Sequence, residues 1–201
     1  MRYFPDMYSP HGIYHLYNQS INYEPLFRSE ENYHFFLRKV RKHLIPVCDV
    51  LCYCLMPDHF HFLVRVKSEG ISLSSTKKAP DDGQGSPDNV YQQRMSHEIK
   101  TMLSSYTKAY NRRYARRGSL FKAKTKAKLA HLDFIELEEN KNDLVPYVAR
   151  CFHYIHANPV VAGLANREEE WPFSSAQDYY GLRNGTLCNQ ELAREILGKY
   201  I

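Results

Sequence analysis

Two histidines separated by one residue, His59-Phe60-His61, are the sharpest chemical feature of this 201-residue chain. On a strand, side chains two apart leave the same face, so both imidazoles project together while Phe60 and Phe62 go to the other. An imidazole pair is a natural partial metal site. Completion by a substrate phosphate and an amide oxygen favours a hard divalent ion, Mg2+ or Mn2+. The plainer alternative is two histidines on a half-exposed sheet face, since His-x-His also recurs without metal.

Tyrosine is the second feature, with 16 copies. A phenol of ordinary pKa, about 10, needs help to act as a nucleophile, and a nearby cation that polarises a phosphate supplies it. Tyr147, Tyr154 and Asn158 fall together on the shoulder of an apolar stripe made by Leu144, Val145, Val148, Phe152 and Ile155. Tyr154 and Asn158 are one helical turn apart, so phenol and amide emerge side by side. The alternative makes Tyr154 a boundary aromatic and Asn158 a cap before Pro159. Tyr106, Tyr110 and Tyr114 recur every fourth residue, as a packing stripe or as a surface on which bases stack.

Charge is unevenly placed. Ten of the 27 basic residues lie between Ile99 and Leu132, where there is no Asp or Glu, and the remainder carries 17 basic and 22 acidic residues. The whole positive excess therefore sits in one segment. That points to a polyanion, with a solvated basic helix face as the bland alternative. The five cysteines lack zinc-type spacing and read as reduced core thiols of a cytoplasmic protein. No secretory leader pattern opens the chain, and the longest apolar run, Val47 to Val66, is too interrupted to span a membrane.

The elements that must position these residues follow from periodicity. Gly12 to Ile21 reads as a strand, and Ser29 caps a helix running to about Leu44 before Pro46. Val47–Leu55 and His59–Val66 read as strands joined at Met56-Pro57-Asp58. Residues 67–89 are polar and read as a mobile loop. A long helix spans about 90–117 and ends at Gly118. A fourth strand spans 119–130, its alternation placing Lys122, Lys124, Lys126 and Lys128 on one face. Asp143 caps a helix running to about Ala157 and stopped by Pro159. Strand, helix, strand, strand, helix, strand is the ferredoxin-like α+β pattern, an antiparallel sheet with helices on one face and the other free for ligand. One domain over 1–182 and a helical tail over 183–201 account for the length.

Three stretches together resemble the HUH tyrosine transposases that act on single-stranded DNA, particularly the REP-associated branch. They are Met56-Pro57-Asp58-His59-Phe60-His61-Phe62-Leu63-Val64, Tyr154-Ile155-His156-Ala157-Asn158-Pro159-Val160-Val161-Ala162-Gly163-Leu164, and Glu169-Glu170-Trp171-Pro172-Phe173-Ser174-Ser175. The resemblance implies a ferredoxin-like fold, His59 and His61 as metal ligands, Tyr154 as nucleophile and Asn158 as third ligand. It implies recognition of single-stranded DNA with hairpin structure, and a 5′-phosphotyrosine with a free 3′-hydroxyl. The chain departs from the family at Asn18-Gln19-Ser20, where relatives often carry Arg, and at Phe121-Lys122-Ala123-Lys124-Thr125, so target sequence does not carry over.

The expected activity is therefore metal-dependent cutting and rejoining of single-stranded DNA. Arg112, Arg113, Arg116, Arg117, Lys122, Lys124, Lys126 and Lys128 would hold the backbone. A non-catalytic single-strand binder of the same fold is the main alternative, and monomer and homodimer are both compatible with the sequence.

Overall fold

The computed structural model describes residues 8–75, 91–130, 134–135 and 145–201. Its centre is a four-stranded antiparallel sheet of β1 (Ile13–Gln19), β2 (Cys48–Leu55), β3 (His59–Val66) and β6 (Lys126–Leu129), in the order β2-β3-β1-β6. Helix α1 (Glu30–His43) joins β1 to β2, and α3 (Arg94–Arg113) lies between β3 and β6. This is the ferredoxin-like order expected of the element pattern. Helix α1 carries Glu30 and Glu31 in its first turn and Arg41, Lys42 and His43 in its last, matching the helix dipole. Ser29 stands at its N-cap position but makes no side-chain capping bond.

Two cores sandwich the sheet. On the first face, Leu16, Phe60, Phe62 and Val64 pack with Phe36 and Val40 of α1 and Met95, Met102 and Tyr106 of α3. The second face is not free. Ile13, Leu51, Cys52, Cys54 and Leu63 are covered by Val148, Phe152 and Ile155 of α4 (Tyr147–Val161) and by Ala193 and Leu197 of α6 (Gln190–Leu197). A bulge between Val50 and Cys52 turns both Leu51 and Cys52 into this second core. The 183–201 segment is built into both cores, Leu187 and Cys188 into the first and Ala193 and Leu197 into the second, with Asn189 N donating to the Val50 carbonyl at 2.8 Å. All five cysteines are free and buried.

Several boundaries differ from the sequence reading, each for a local reason. Helix α3 ends at Arg113, short of Gly118, because Ala115 takes the left-handed conformation (φ 49°) and Arg116 N closes onto the Asn111 carbonyl at 2.9 Å. The strand expected over 119–130 is interrupted: Phe121 bridges Ser20 and Lys122 N donates to the Gln19 carbonyl at 2.9 Å, but the Asn18 amide bonds the Lys122 carbonyl and Thr125 Oγ1, drawing 123–125 off the ladder before β6. Helix α4 runs through Pro159 to Val161 and ends at Gly163 (φ 68°). Proline in the last turn removes one N–H without stopping the helix there. Asp143 lies outside the described residues. So does most of the expected 67–89 loop, but its start holds α2 (Ser68–Ile71) and β4 (Leu73–Ser75), the latter paired with β5 (Tyr91–Gln93).

Residues 171–175 seal the outer edge of β2. Leu55 N donates to the Phe173 carbonyl, Ser175 N to the Tyr53 carbonyl, and the Trp171 indole to the Leu55 carbonyl at 2.9 Å. The edge strand thus keeps its backbone groups paired. Among the described residues no helix is long and apolar enough to cross a membrane.

Candidate active site beside β1 and β3

Strand register decides which side chains share the uncovered part of the second face. Tyr17 lies opposite His61, Gln19 opposite His59 and His15 opposite Leu63. On the other flank of β1, Lys126 lies opposite Tyr17 and Lys128 opposite His15. Directly opposed residues point to the same side. His15, Tyr17, His59, His61, Lys126 and Lys128 therefore share one face.

The histidines are tied to their surroundings in pairs. His59 Nδ1 lies 2.7 Å from Asp58 Oδ1, and His61 Nδ1 lies 2.9 Å from His15 Nε2. His61 and His15 are nearly buried, at 6% and 7% exposure. Burial pushes the His61 imidazole down to about 3, with His15 and His59 adding to the effect. Burial and then the Lys128 ammonium push His15 down to about 4. Both rings are neutral at neutral pH, the state in which an imidazole keeps a lone pair.

Tyr154 arrives from α4, and its ring lies edge-on to His61 at 5.6 Å and to His15 at 5.9 Å between centroids. It is 55% exposed, so the phenol is open to a substrate. The helix is fixed beneath it by His156, fully buried two residues on, whose Nε2 meets Ser175 Oγ at 2.8 Å. Ser175 in turn holds the backbone of Tyr53. One turn past Tyr154, the Asn158 side-chain nitrogen donates to the Tyr154 carbonyl at 2.6 Å, leaving its amide oxygen as the atom able to ligate.

Asp58 and His15 occupy Nδ1 of His59 and His61, so Nε2 is the nitrogen through which each ring could meet an ion. Among the described residues no three His, Cys, Asp or Glu side chains form a metal cage. An ion would rest on two imidazoles, the Asn158 amide and oxygens from substrate and water.

The basic residues expected to hold a polyanion divide. Lys126 and Lys128 share the histidine face, and the Lys128 ammonium sits 4.7 Å from the centre of the Tyr147 ring. Lys122 bonds Gln19 Oε1 at 2.9 Å, and neither it nor exposed Lys124 belongs to the strand. Arg116 is committed to the fold, paired with Glu24 at 2.7 Å and bonded to the Ser119 carbonyl. Arg112, Arg113 and Arg117 are exposed, but α3 lies against the first face, so Arg112 and Arg113 come from the layer opposite the histidines. The tyrosine stripe of α3 is no stacking surface either: Tyr106 and Tyr110 are buried and bond the Leu26 and Pro25 carbonyls, and Tyr114 bonds Asn32.

His15, Tyr17 and Asp58 were missed as site residues. A lone histidine carries no spacing signal, and the alternation Ile13, His15, Tyr17, Gln19 acquires meaning only once β1 is registered against β3. A cleft of about 490 Å³ lies elsewhere, between α1 and the 183–187 segment.

No family model matches the chain, and no curated protein matches it. Among solved structures, the chain is similar to one described as "Structure of the REP associates tyrosine transposase bound to a REP hairpin". The similarity spans 91% of this chain and 88% of that chain, at 16% identity and a TM-score of 0.49.

Proposed function

We propose that this chain is a divalent-metal-dependent enzyme that cuts and rejoins single-stranded, hairpin-bearing DNA, with Tyr154 as nucleophile. The observation that carries the reading is convergence: an exposed phenol from α4 stands against neutral imidazoles from β1 and β3, with two lysines of β6 on the same face. His59, His61 and Asn158 would hold Mg2+ or Mn2+. When bound, the ion supplies Lewis-acid polarisation of the scissile phosphate.

In the cutting step the Tyr154 oxygen forms a bond to phosphorus as the bond from phosphorus to the 3′-oxygen breaks. The phenol proton is lost and the departing 3′-oxygen gains one, so the products are a 5′-phosphotyrosine and a free 3′-hydroxyl. The ester retains the bond energy, and attack by a 3′-hydroxyl reverses the step without ATP. Lys126 and Lys128 neutralise neighbouring phosphates.

A labelled hairpin oligonucleotide incubated with the protein and Mg2+ or Mn2+ tests this. Wild type should give an adduct that survives a denaturing gel, and Tyr154→Phe should give none. Tyr17→Phe is the informative control, because the Tyr17 ring lies 5.8 Å from His61, almost as near as Tyr154. Tyr17→Phe should keep the adduct. An adduct lost with Tyr17 and kept without Tyr154 would reassign the nucleophile. Retention in native gels alone would leave a binding protein.

A further inference from the structure

Each candidate ligand imidazole is gripped at Nδ1 by a second side chain. For His59 that partner is Asp58 Oδ1 at 2.7 Å, an ionised carboxylate that can only accept. His59 therefore carries a proton on Nδ1, and its neutral ring presents a bare Nε2. For His61 the partner is His15 Nε2 at 2.9 Å, and either ring could supply the proton. If His15 donated, His61 would be protonated on Nε2 and would have no lone pair outside the contact. If His61 donates, its Nε2 is bare, as in His59. Only the second arrangement gives the site two matching nitrogens.

The fold holds His15 where it can do this. It is the diagonal rather than the direct cross-strand partner of His61, since Tyr17 takes the opposed position. An imidazole can bridge that diagonal, and two aromatic rings flank that of His15. Its ring packs at 4.9 Å on Tyr17 and meets the edge of Tyr154 at 5.9 Å. Nothing about its position suggests a surface histidine, at 7% exposure.

We infer that His15 is a positioning residue that accepts the Nδ1 proton of His61, fixing its ring and leaving Nε2 bare for a divalent ion. This rests on the metal-dependent reading above. It predicts that metal affinity depends on an acceptor at the place of His15 Nε2 rather than on bulk there. Outer-shell partners of ligating histidines are typically worth about 10- to 100-fold in metal affinity.

Two measurements test it. Long-range proton–nitrogen NMR of the metal-free protein should find His61 protonated on Nδ1; protonation on Nε2 would overturn the inference. Mn2+ titration by calorimetry should show His15→Leu binding about 10- to 100-fold more weakly, with His15→Gln, whose amide oxygen reaches the same place, restoring most of the loss. Equal weakening in both variants, or none in His15→Leu, would overturn the role of His15 while wild-type uptake upheld the metal reading. Wild type that takes up no Mn2+ would sink both together. Should His15→Leu fail to fold, the NMR result and the Gln variant decide.

Discussion

On the first face of the sheet, Tyr106, Tyr110 and Tyr114 of α3 lean inward and each hydroxyl ends on an oxygen distant in sequence: Leu26, Pro25 and Asn32. On the second face, Tyr154 of α4 is 55% exposed, and its ring stands edge-on to His15 and His61. The residue type is the same, and so is the helical spacing that first drew notice. What separates them is where the hydroxyl goes. A phenol whose oxygen closes a buried hydrogen bond is part of the scaffold; burial drives the Tyr106 hydroxyl's pKa far upward. A phenol left open beside neutral imidazoles can take part in chemistry.

The largest effect expected from this contrast is a reciprocal pair. Tyr154→Phe should abolish the covalent adduct and change stability by no more than about 0.5 kcal/mol, as for a surface substitution. Tyr106→Phe should leave adduct formation intact and cost about 1–2 kcal/mol, since the Leu26 carbonyl loses a buried donor. Adduct assays and urea melts on the two variants suffice. If Tyr154→Phe destabilised the fold as much as Tyr106→Phe, the contrast between the faces would collapse.

Acid should act through the second face. His61, His15 and His156 are buried there, with pKa values pushed by burial to about 3, about 4 and about 3. In the unfolded chain each protonates near its ordinary value of about 6.5. Between those limits the unfolded state binds more protons than the folded one. Stability is therefore full above about pH 6.5 and is lost progressively as pH falls toward 3. Urea midpoints measured across that range should show the decline, and His61→Asn should flatten it by one proton's share. An unchanged slope in that variant would mean that His61 is not neutral in the folded protein.

The part of this site legible in the sequence was the part written in short-range spacing. His59 and His61 could be read because a strand repeats every second residue, and Tyr154 with Asn158 because a helix brings fourth neighbours together. Their meeting depended on α4 crossing the second face, which only the three-motif resemblance anticipated. His15 was illegible because its meaning lies in the register of β1 against β3. Arg116 misled for a related reason: its charge was counted with its neighbours, while Glu24, its partner, lies 92 residues away. The lysine alternation in 122–128 was real in sequence but half undone by one amide, that of Asn18, which draws the chain off the ladder.

Those basic residues give a smaller and graded test. Replacing Lys126 and Lys128 together by Ala should weaken single-strand binding and reduce its salt dependence by about 1.4 in log–log slope, at about 0.7 per phosphate contact. Arg116→Ala should leave that slope unaltered and lower the melting temperature instead, because it strips Glu24 of its partner and the Arg117 and Ser119 carbonyls of their donor. Binding isotherms at several salt concentrations separate the two outcomes. A slope change on removing Arg116 would show that it leaves Glu24 to meet DNA.

The smallest effect concerns how the two long helices end. Helix α4 closes with Gly163 in the left-handed region, where Leu164 N reaches the Pro159 carbonyl at 2.8 Å and Gly163 N the Val160 carbonyl at 3.0 Å. Helix α3 makes the corresponding closure from Arg116 N to the Asn111 carbonyl at 2.9 Å, but places Ala115 in the left-handed position. A side chain there costs about 1–2 kcal/mol that glycine avoids. Glycine's greater freedom in the unfolded chain returns about 0.4–1 kcal/mol of that. Ala115→Gly should therefore stabilise the protein by roughly 0.5–1 kcal/mol, while Gly163→Ala should destabilise it by a similar amount. Thermal melts of the two variants should move in opposite directions. If Ala115→Gly lowered the melting temperature, α3 would have to end in some other conformation, and the turn that delivers Arg116 to Glu24 would need a different explanation.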